Sequence, residues 1–465
     1  MPDLLFHGAA GEVTGSMHMV EVDGHWVALD CGLFYGRRQE AEEKNRCWPV
    51  SPLKIAAVVL SHAHIDHCGR LPRLVKDGFD GPIYCTPATR DLAAIMLPDS
   101  AHIQEEDVRY VSKKRRRQGL PPIEPLYTYD DVMATIKLFQ SISYKRWFQV
   151  IPGLLACFEE AGHMLGSSGV RLEFAKRNGA TPSLFYTGDV GRWEQPILRN
   201  PADFPPNETI ICESTYGGRI NETVDDAKEQ LLNVVRHTID RGGKVIIPAF
   251  SVGRTQVIVY YLHELMLAGL LPQIAIFVDS PLAVNATEVF KMHPECYDAD
   301  ARALYQVAGD ILGGGYCTYV RTLAQSMALN ERTEPCVIIS ASGMCEAGRI
   351  RHHLKHNITN PKNTILLAGY QAANTLGRKL EQGAERIRLF QEEYAVRAEV
   401  RQIHGFSGHA DQTELLRLLT PRASETRALY LVHGEPDQAQ ELADRLRAVG
   451  FRKVVVAERD RRYSL

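Results

Sequence analysis

None of the ten cysteines, at positions 31, 47, 68, 85, 157, 212, 296, 317, 336 and 345, forms a CxxC pair. That spacing argues against a cysteine zinc ribbon or a disulfide framework and for reduced thiols in a cytoplasm. No apolar run approaches the roughly 18 residues of a membrane-spanning helix, and "MPDLLFHGAAGEVTGS" lacks a secretory layout. A net charge of −3 provides no global attraction for nucleic acid, so any such affinity must come from local patches. There is no Walker A sequence and no GxGxxG after a strand, which weakens a nucleotide-cofactor reading. Repeats of solenoid period and low-complexity linkers are absent too. With 45% hydrophobic and 23% charged residues, disorder and coiled coil are also excluded, and 465 residues suffice for two or three domains.

What is present is histidine, concentrated. "SHAHIDHCGRLPRL", residues 61–74, carries His62, His64, Asp66 and His67 within six positions of a chain holding 17 histidines. "KIAAVVLS" (54–61) before it is apolar and β-branched, a buried strand ending at Ser61. Leu71, Leu74 and Val75 after it mark a short helix stopped by Gly78. The cluster thus occupies a strand-to-helix loop, where side chains converge outside a sheet edge. Imidazole and carboxylate together suit zinc or a similar ion. The plain alternative is a surface loop that happens to be rich in histidine.

Up to about residue 200 the chain alternates short strands with Gly-rich turns, and Asp30 ends "WVALD". An amphipathic helix, "TVDDAKEQLLNVVRHTIDRGG", then places Ala227, Leu231, Val234 and Thr238 on one face. Four strand–loop–helix units follow, at 244–269, 274–293, 336–356 and 364–380, and predict a parallel sheet wrapped by helices. Beyond about residue 400 helix and strand alternate again. His163 in "GHMLGSS", Asp189 in "YTGDVG", His409 in "GFSGHAD" and His433 in "LYLVHGE" all follow apolar runs and sit beside Gly or Ser. Singly, each is more often a cap or turn residue than a ligand. No Ser or Cys is better placed as a nucleophile than a metal-activated water.

Taken in order, Asp30, His62-x-His64-x-Asp66-His67, His163 and Asp189 resemble the four motifs of the metallo-β-lactamase fold. Glu213 in "CESTYGG", His409 and His433 resemble the three additional motifs of its β-CASP nuclease branch. The chain is similar, nearly end to end, to bacterial and archaeal relatives of the cleavage-and-polyadenylation endonuclease. The resemblance implies an α/β fold: an αββα sandwich over residues 1–205, completed by residues 396–465, with a Rossmann-like β-CASP insert over 206–395. It implies one zinc held by His62, His64 and His163, a second held by Asp66, His67 and His433, and Asp189 bridging both, with manganese as an alternative metal. Asp30 would orient the ligand loop from outside the coordination sphere. Two metals about 3.5–4 Å apart can share a hydroxide and clamp a phosphodiester in line. His409, with Glu213 beside it, would be the general acid.

The implied substrate is RNA, cut internally, from the 5′ end, or both. RNA-processing members of the family carry His at the position of His433, whereas DNA-repair members tend to have an apolar residue. Alternatives are a DNA nuclease of the same fold, a non-catalytic RNA-binding subunit, and a small-molecule hydrolase, for which the long insert would be superfluous. Arg254 in "PAFSVGRTQ" and Ser340, Ser342 and the Gly343 backbone in "SASGMCEAGR" are expected to be exposed at helix N-termini, where they would grip phosphate across the inter-domain cleft. Ordinary Rossmann-like turns are the plain alternative. Asn374 in "GYQAANTLGR" stands where relatives often have Gly, and Asn also tolerates the left-handed region. Lys113-Lys114-Arg115-Arg116-Arg117 reads as a solvated face; beside a cleft it would add phosphate contacts. No KH-like GxxG module precedes the body. No membrane partner is expected, and a homodimer is compatible with the sequence.

Overall fold

The computed structural model describes residues 3–36, 38–176, 181–369, 371–372 and 374–464. Its contacts divide the chain into two compact units: Met1–Trp193, Asn200–Ile220 and His409–Leu465 form the first, Glu194–Arg199 and Asn221–Gly408 the second.

The first unit is built on two seven-stranded sheets. One runs, edge to edge, Arg462–Ser464, Asp3–Gly8, Met17–Val22, His25–Leu29, Ile55–Val59, Ile83–Cys85 and Phe139–Ser141. The other runs Val454–Val456, Ala428–Val432, Thr209–Glu213, Ser183–Tyr186, Ser168–Phe174, Leu154–Glu160 and Phe148–Ile151. Between them lies a core to which Phe6, Val27 and Val59 contribute from one sheet and Phe158, Leu172 and Ile211 from the other. Helices Gln412–Leu419 and Pro436–Ala448 cover the outer face of the second sheet, packing Leu415, Leu419, Leu442 and Leu446 on Phe185, Ile210 and Leu429. Parallel crossovers in the first sheet run through helices Leu71–Lys76 and Pro87–Arg117. The layers are therefore the αββα sandwich expected.

The second unit carries a six-stranded, all-parallel sheet in the order Cys317–Tyr319, Ile276–Val278, Val337–Ser340, Val245–Pro248, Thr364–Ala368 and Glu399–Ile403. All four strand–loop–helix units of the sequence are in it. Two flanking strands and the hairpin Arg386–Leu389/Glu392–Ala395 complete the unit. Helix Val224–Asp240 starts on a capping box between Thr223 and Asp226 and buries Ala227, Leu231, Val235 and Thr238. Val235, not Val234, faces the core: i+7 and i+8 are near-equivalent on a 3.6-residue period, and packing picks one. Strand Thr209–Glu213 lies in the first unit's second sheet although it follows residue 205. Strand Glu399–Ile403 extends the second unit's sheet although it follows residue 395.

Candidate metal centre

Strand ends explain why distant residues meet. Ser183–Tyr186, Thr209–Glu213 and Ala428–Val432 are parallel neighbours, and Asp189, Glu213 and His433 stand at or just past their C-terminal ends. Leu154–Glu160 runs the same way, two antiparallel pairings along, and delivers His163 to that edge. In the facing sheet, Asp30 follows His25–Leu29, and the 61–67 loop follows its parallel neighbour Ile55–Val59. Loops past the C-terminal ends of parallel strands are where α/β sheets gather their chemistry. His409 joins through an antiparallel bridge with Gly191 and the bond from Ala410 N to Val190 O, 2.8 Å.

The result is two triads sharing one carboxylate. His62, His64 and His163 gather with Asp189, and Asp66 and His67 gather with His433; a further group, Asp189, Glu213, His409 and His433, overlaps both. In the first group His163 Nε2 is 3.1 Å from His64 Nδ1, and Asp189 Oδ2 is 3.4 Å from His62 Nε2 and 3.5 Å from His163 Nε2. In the second, His67 Nε2 is 3.2 Å from His433 Nε2 and 3.3 Å from Asp189 Oδ1, and His433 Nε2 is 3.5 Å from Asp66 Oδ2. A tetrahedron with zinc–nitrogen bonds of about 2.0–2.1 Å has edges of about 3.3 Å, and these separations cluster around that value.

Hydrogen bonding behind the ligands points the same way. Asp30, at φ +65°, accepts from Ser61 N at 2.7 Å, Ser61 Oγ at 2.8 Å, His67 Nδ1 at 2.7 Å and Tyr186 OH at 2.6 Å. Since the Ser61 hydroxyl donates to Asp30, its oxygen accepts from His62 Nδ1 at 2.9 Å. Thr215 Oγ1 donates to the His433 carbonyl at 2.9 Å and accepts from His433 Nδ1 at 3.0 Å. Each of His62, His67 and His433 thereby keeps its proton on Nδ1 and turns an Nε2 lone pair inward, the arrangement a metal-binding histidine requires. Two facing lone pairs at 3.2 Å repel unless a cation lies between them. Among the described residues the buried His62 Nε2 and Asp189 Oδ1 have no hydrogen-bond partner. The donor set fits metal. Ser61, Tyr186 and Thr215 were not among the residues singled out in the sequence, although each lies within three positions of one that was.

Protonation suits this use. Burial pushes His62 and His163 below the ordinary histidine range and His64 down to about 3, leaving them neutral. Burial opposes ionisation of Asp66 and Asp189, yet the surrounding histidines hold both below the carboxylate range. His67 is the exception: burial is outweighed by Asp189 and Asp30, which raise it, so the same carboxylates that favour a metal cation here also favour a proton on Nε2, which a bound metal would displace. His409 Nδ1 lies 3.1 Å from both Glu213 oxygens and 4.0 Å from Asp189. Burial alone would lower His409, but the Glu213 carboxylate raises it to about 10. Val190 N donates to Glu213 at 2.6 Å and fixes that carboxylate.

The four residues expected to hold phosphate belong to the second unit. Arg254 opens helix Arg254–Leu267, with its guanidinium 5.7 Å from the Phe406 ring centre. Ser340 is not exposed: it ends strand Val337–Ser340, is buried, and donates to the Asp279 carbonyl at 2.8 Å. Nor do Ser342 and Gly343 lie at a helix N-terminus, since the helix starts only at Ile350. Ser342 Oγ instead accepts from Ala347 N at 3.2 Å, and Gly343 is buried, its carbonyl accepting from Gln371. Small residues after a strand read alike whether they cap a helix or fold a loop on itself. Asn374 does take the left-handed region, at φ +67°. Tyr370 and Ala373 in the same loop lie outside the described residues.

A two-sheet sandwich with a buried histidine–carboxylate cluster on one edge and a parallel-sheet insert defines a metallohydrolase of the metallo-β-lactamase fold. The chain belongs to the β-CASP ribonuclease branch of that superfamily. A Beta-lactamase superfamily domain matches residues 25–205, a Beta-Casp domain 255–380, and a Zn-dependent metallo-hydrolase RNA specificity domain 393–457. Ribonuclease TTHA0252 of Thermus thermophilus is 33% identical over 93% of this chain and 93% of its own length. An RNase J-like protein of Methanocaldococcus jannaschii is 30% identical over 95% and 94%. Transcription termination factor FttA of the same organism is 32% identical over 96% of this chain and 69% of its own length. A solved structure from Enterococcus faecalis V583, a protein of unknown function, shares the fold with a TM-score of 0.55 at 12% identity, covering all of both chains.

Proposed function

We propose that this protein hydrolyses RNA phosphodiester bonds with two zinc ions, cutting internally, from the 5′ end, or both. His62, His64 and His163 would hold one ion, Asp66, His67 and His433 the other, and Asp189 both. The observation that carries the reading is His409 paired with Glu213 beside two triads whose donor atoms stand at zinc-tetrahedron spacing. The ions, when bound, supply the Lewis acidity that activates water near neutral pH and neutralises phosphate charge.

The chain's own residues do the rest. Asp30, Ser61 and Thr215 hold the imidazoles in the ligating tautomer. Glu213 keeps His409 protonated, so a proton is ready for the departing 3′ oxygen. Arg254, Ser342 and the Gly343 loop of an insert taken as 206–395 are proposed to hold backbone phosphates. The RNA-specificity family match over residues 393–457, which contains His409 and His433, supports RNA over DNA. Ten free cysteines fit work in a cytoplasm.

The test is incubation of the purified protein with RNA, DNA, a thioester and a lactam, each with and without chelator and with zinc restored. Chelator-sensitive RNA cleavage, mapped by sequencing the new ends, is expected. Turnover of only the small molecules would refute the reading.

A further inference from the structure

The run Lys113–Arg117 ends a 31-residue helix, Pro87–Arg117, whose last turn is Lys114–Arg117. Its inner face is buried through Ala88, Leu92, Met96, Ala101 and Ser112. On the opposite face Tyr110, Lys113, Lys114 and Arg117 follow at i, i+3, i+4 and i+7, so they form one stripe. Tyr110 is 75% exposed, and Lys113, Lys114, Arg116 and Arg117 are all exposed. Among the described residues none of these four cationic side chains has an ion-pair or hydrogen-bond partner. Arg115 differs, donating to the Pro121 carbonyl at 2.7 Å, and Arg109 is paired with Glu105 and Glu106. One or two cations satisfy the dipole of a helix C-terminus; this turn carries four. Unpaired cations interleaved with an open aromatic ring are the composition that binds single-stranded nucleic acid, phosphates on the cations and a base on the ring.

The other end of this helix is fixed at the metal centre. Thr86 and Thr89 hydroxyls donate to the Gly166 carbonyl at 2.7 and 2.8 Å, three residues past His163. At about 1.5 Å per residue the basic tip lies up to about 45 Å along the helix from that loop. We infer that the stripe of Tyr110, Lys113, Lys114 and Arg117, with Arg116, is an accessory site for single-stranded RNA, engaged only by strands long enough to reach it from the metal centre. A stacked strand advances about 3.4 Å per nucleotide, so about a dozen nucleotides bridge the distance. This rests on the ribonuclease reading above.

The test measures equilibrium binding in an Asp66→Asn background, which keeps the strand intact, using RNAs of about four and about thirty nucleotides. Replacing Lys113, Lys114, Arg116 and Arg117 together by Gln should weaken binding of the long RNA at least about tenfold. The slope of log affinity against log salt should become shallower by about 2 to 3, since each phosphate that a cation neutralises on a single strand contributes about 0.7. Tyr110→Ala should weaken the long RNA about tenfold and leave the slope unchanged. The short RNA should bind all these proteins alike. A Lys/Arg interchange at the four positions, which keeps charge, should keep the slope; equal melting temperatures verify folding. An unchanged salt slope in the Gln variant, or equal weakening of short and long RNA, overturns the inference. If wild-type protein cleaves no RNA while the slope still falls, the ribonuclease reading fails and the accessory site stands.

Discussion

Glu213→Gln tests the assignment of His409 without removing a metal ligand. His409 Nδ1 lies 3.1 Å from both carboxylate oxygens, and the Glu213 charge overcomes burial to raise the imidazole to about 10. A raised pKa means that the acid form is complete at neutral pH and is lost only as pH rises through about 10. Bound cations would draw the value down in wild type and variant alike. Without the Glu213 charge, burial works against Asp189 alone among the carboxylates and the imidazole falls towards the ordinary histidine value of about 6.5, where at about pH 7.5 roughly one molecule in ten remains protonated. The variant should therefore cleave about tenfold slower than wild type at that pH, and the ratio should climb towards one as pH drops to about 6. His409→Ala, which removes the acid outright, should lose about 10²–10⁴ in rate while keeping both metals and RNA binding. The assay is single-turnover cleavage across pH, with an oxygen substrate and one carrying sulfur at the bridging 3′ position, whose thiolate leaves without a proton. Sulfur should restore much of the rate of His409→Ala. Variant and wild-type profiles that stay parallel with pH, or zinc loss from His409→Ala, would refute the general-acid role.

Asp66→Asn should abolish cleavage with little change in melting temperature, because a neutral amide coordinates poorly; retained cleavage by metal-verified protein would sink the two-metal assignment. His433→Ala should lower zinc content from two towards one per chain by elemental analysis, and bridging sulfur should rescue little of its rate. Thr215→Val removes the acceptor that holds the His433 proton on Nδ1, so metal affinity or activity should fall about 10–100-fold. Arg254→Ala should weaken unrelated RNAs about equally and flatten the salt slope by about one; a sequence-selective loss would point to base reading.

His62, His64, Asp66 and His67 were legible as a candidate ligand loop because four donors within six residues stay close whatever the remainder of the chain does. The four strand–loop–helix units were legible for a related reason: a buried strand and an amphipathic helix write their periods into local sequence. Strand–helix alternation says nothing, however, of which sheet a strand joins. Thr209–Glu213 and Glu399–Ile403 therefore found their places only through pairing with Ala428–Val432 and Thr364–Ala368. Burial of Ser340, the choice of Val235 over Val234, and the stretching of the 113–117 run into the end of a long helix were likewise decided by packing. So was the centre itself. His163, Asp189 and His433 are candidates in sequence only as His or Asp beside Gly or Ser after an apolar run, a pattern shared by ordinary caps and turns, and matching motif order set them apart. They come together because parallel strands in facing sheets end on one edge, where side chains hundreds of residues apart come within about 3.3 Å, the edge of a zinc tetrahedron.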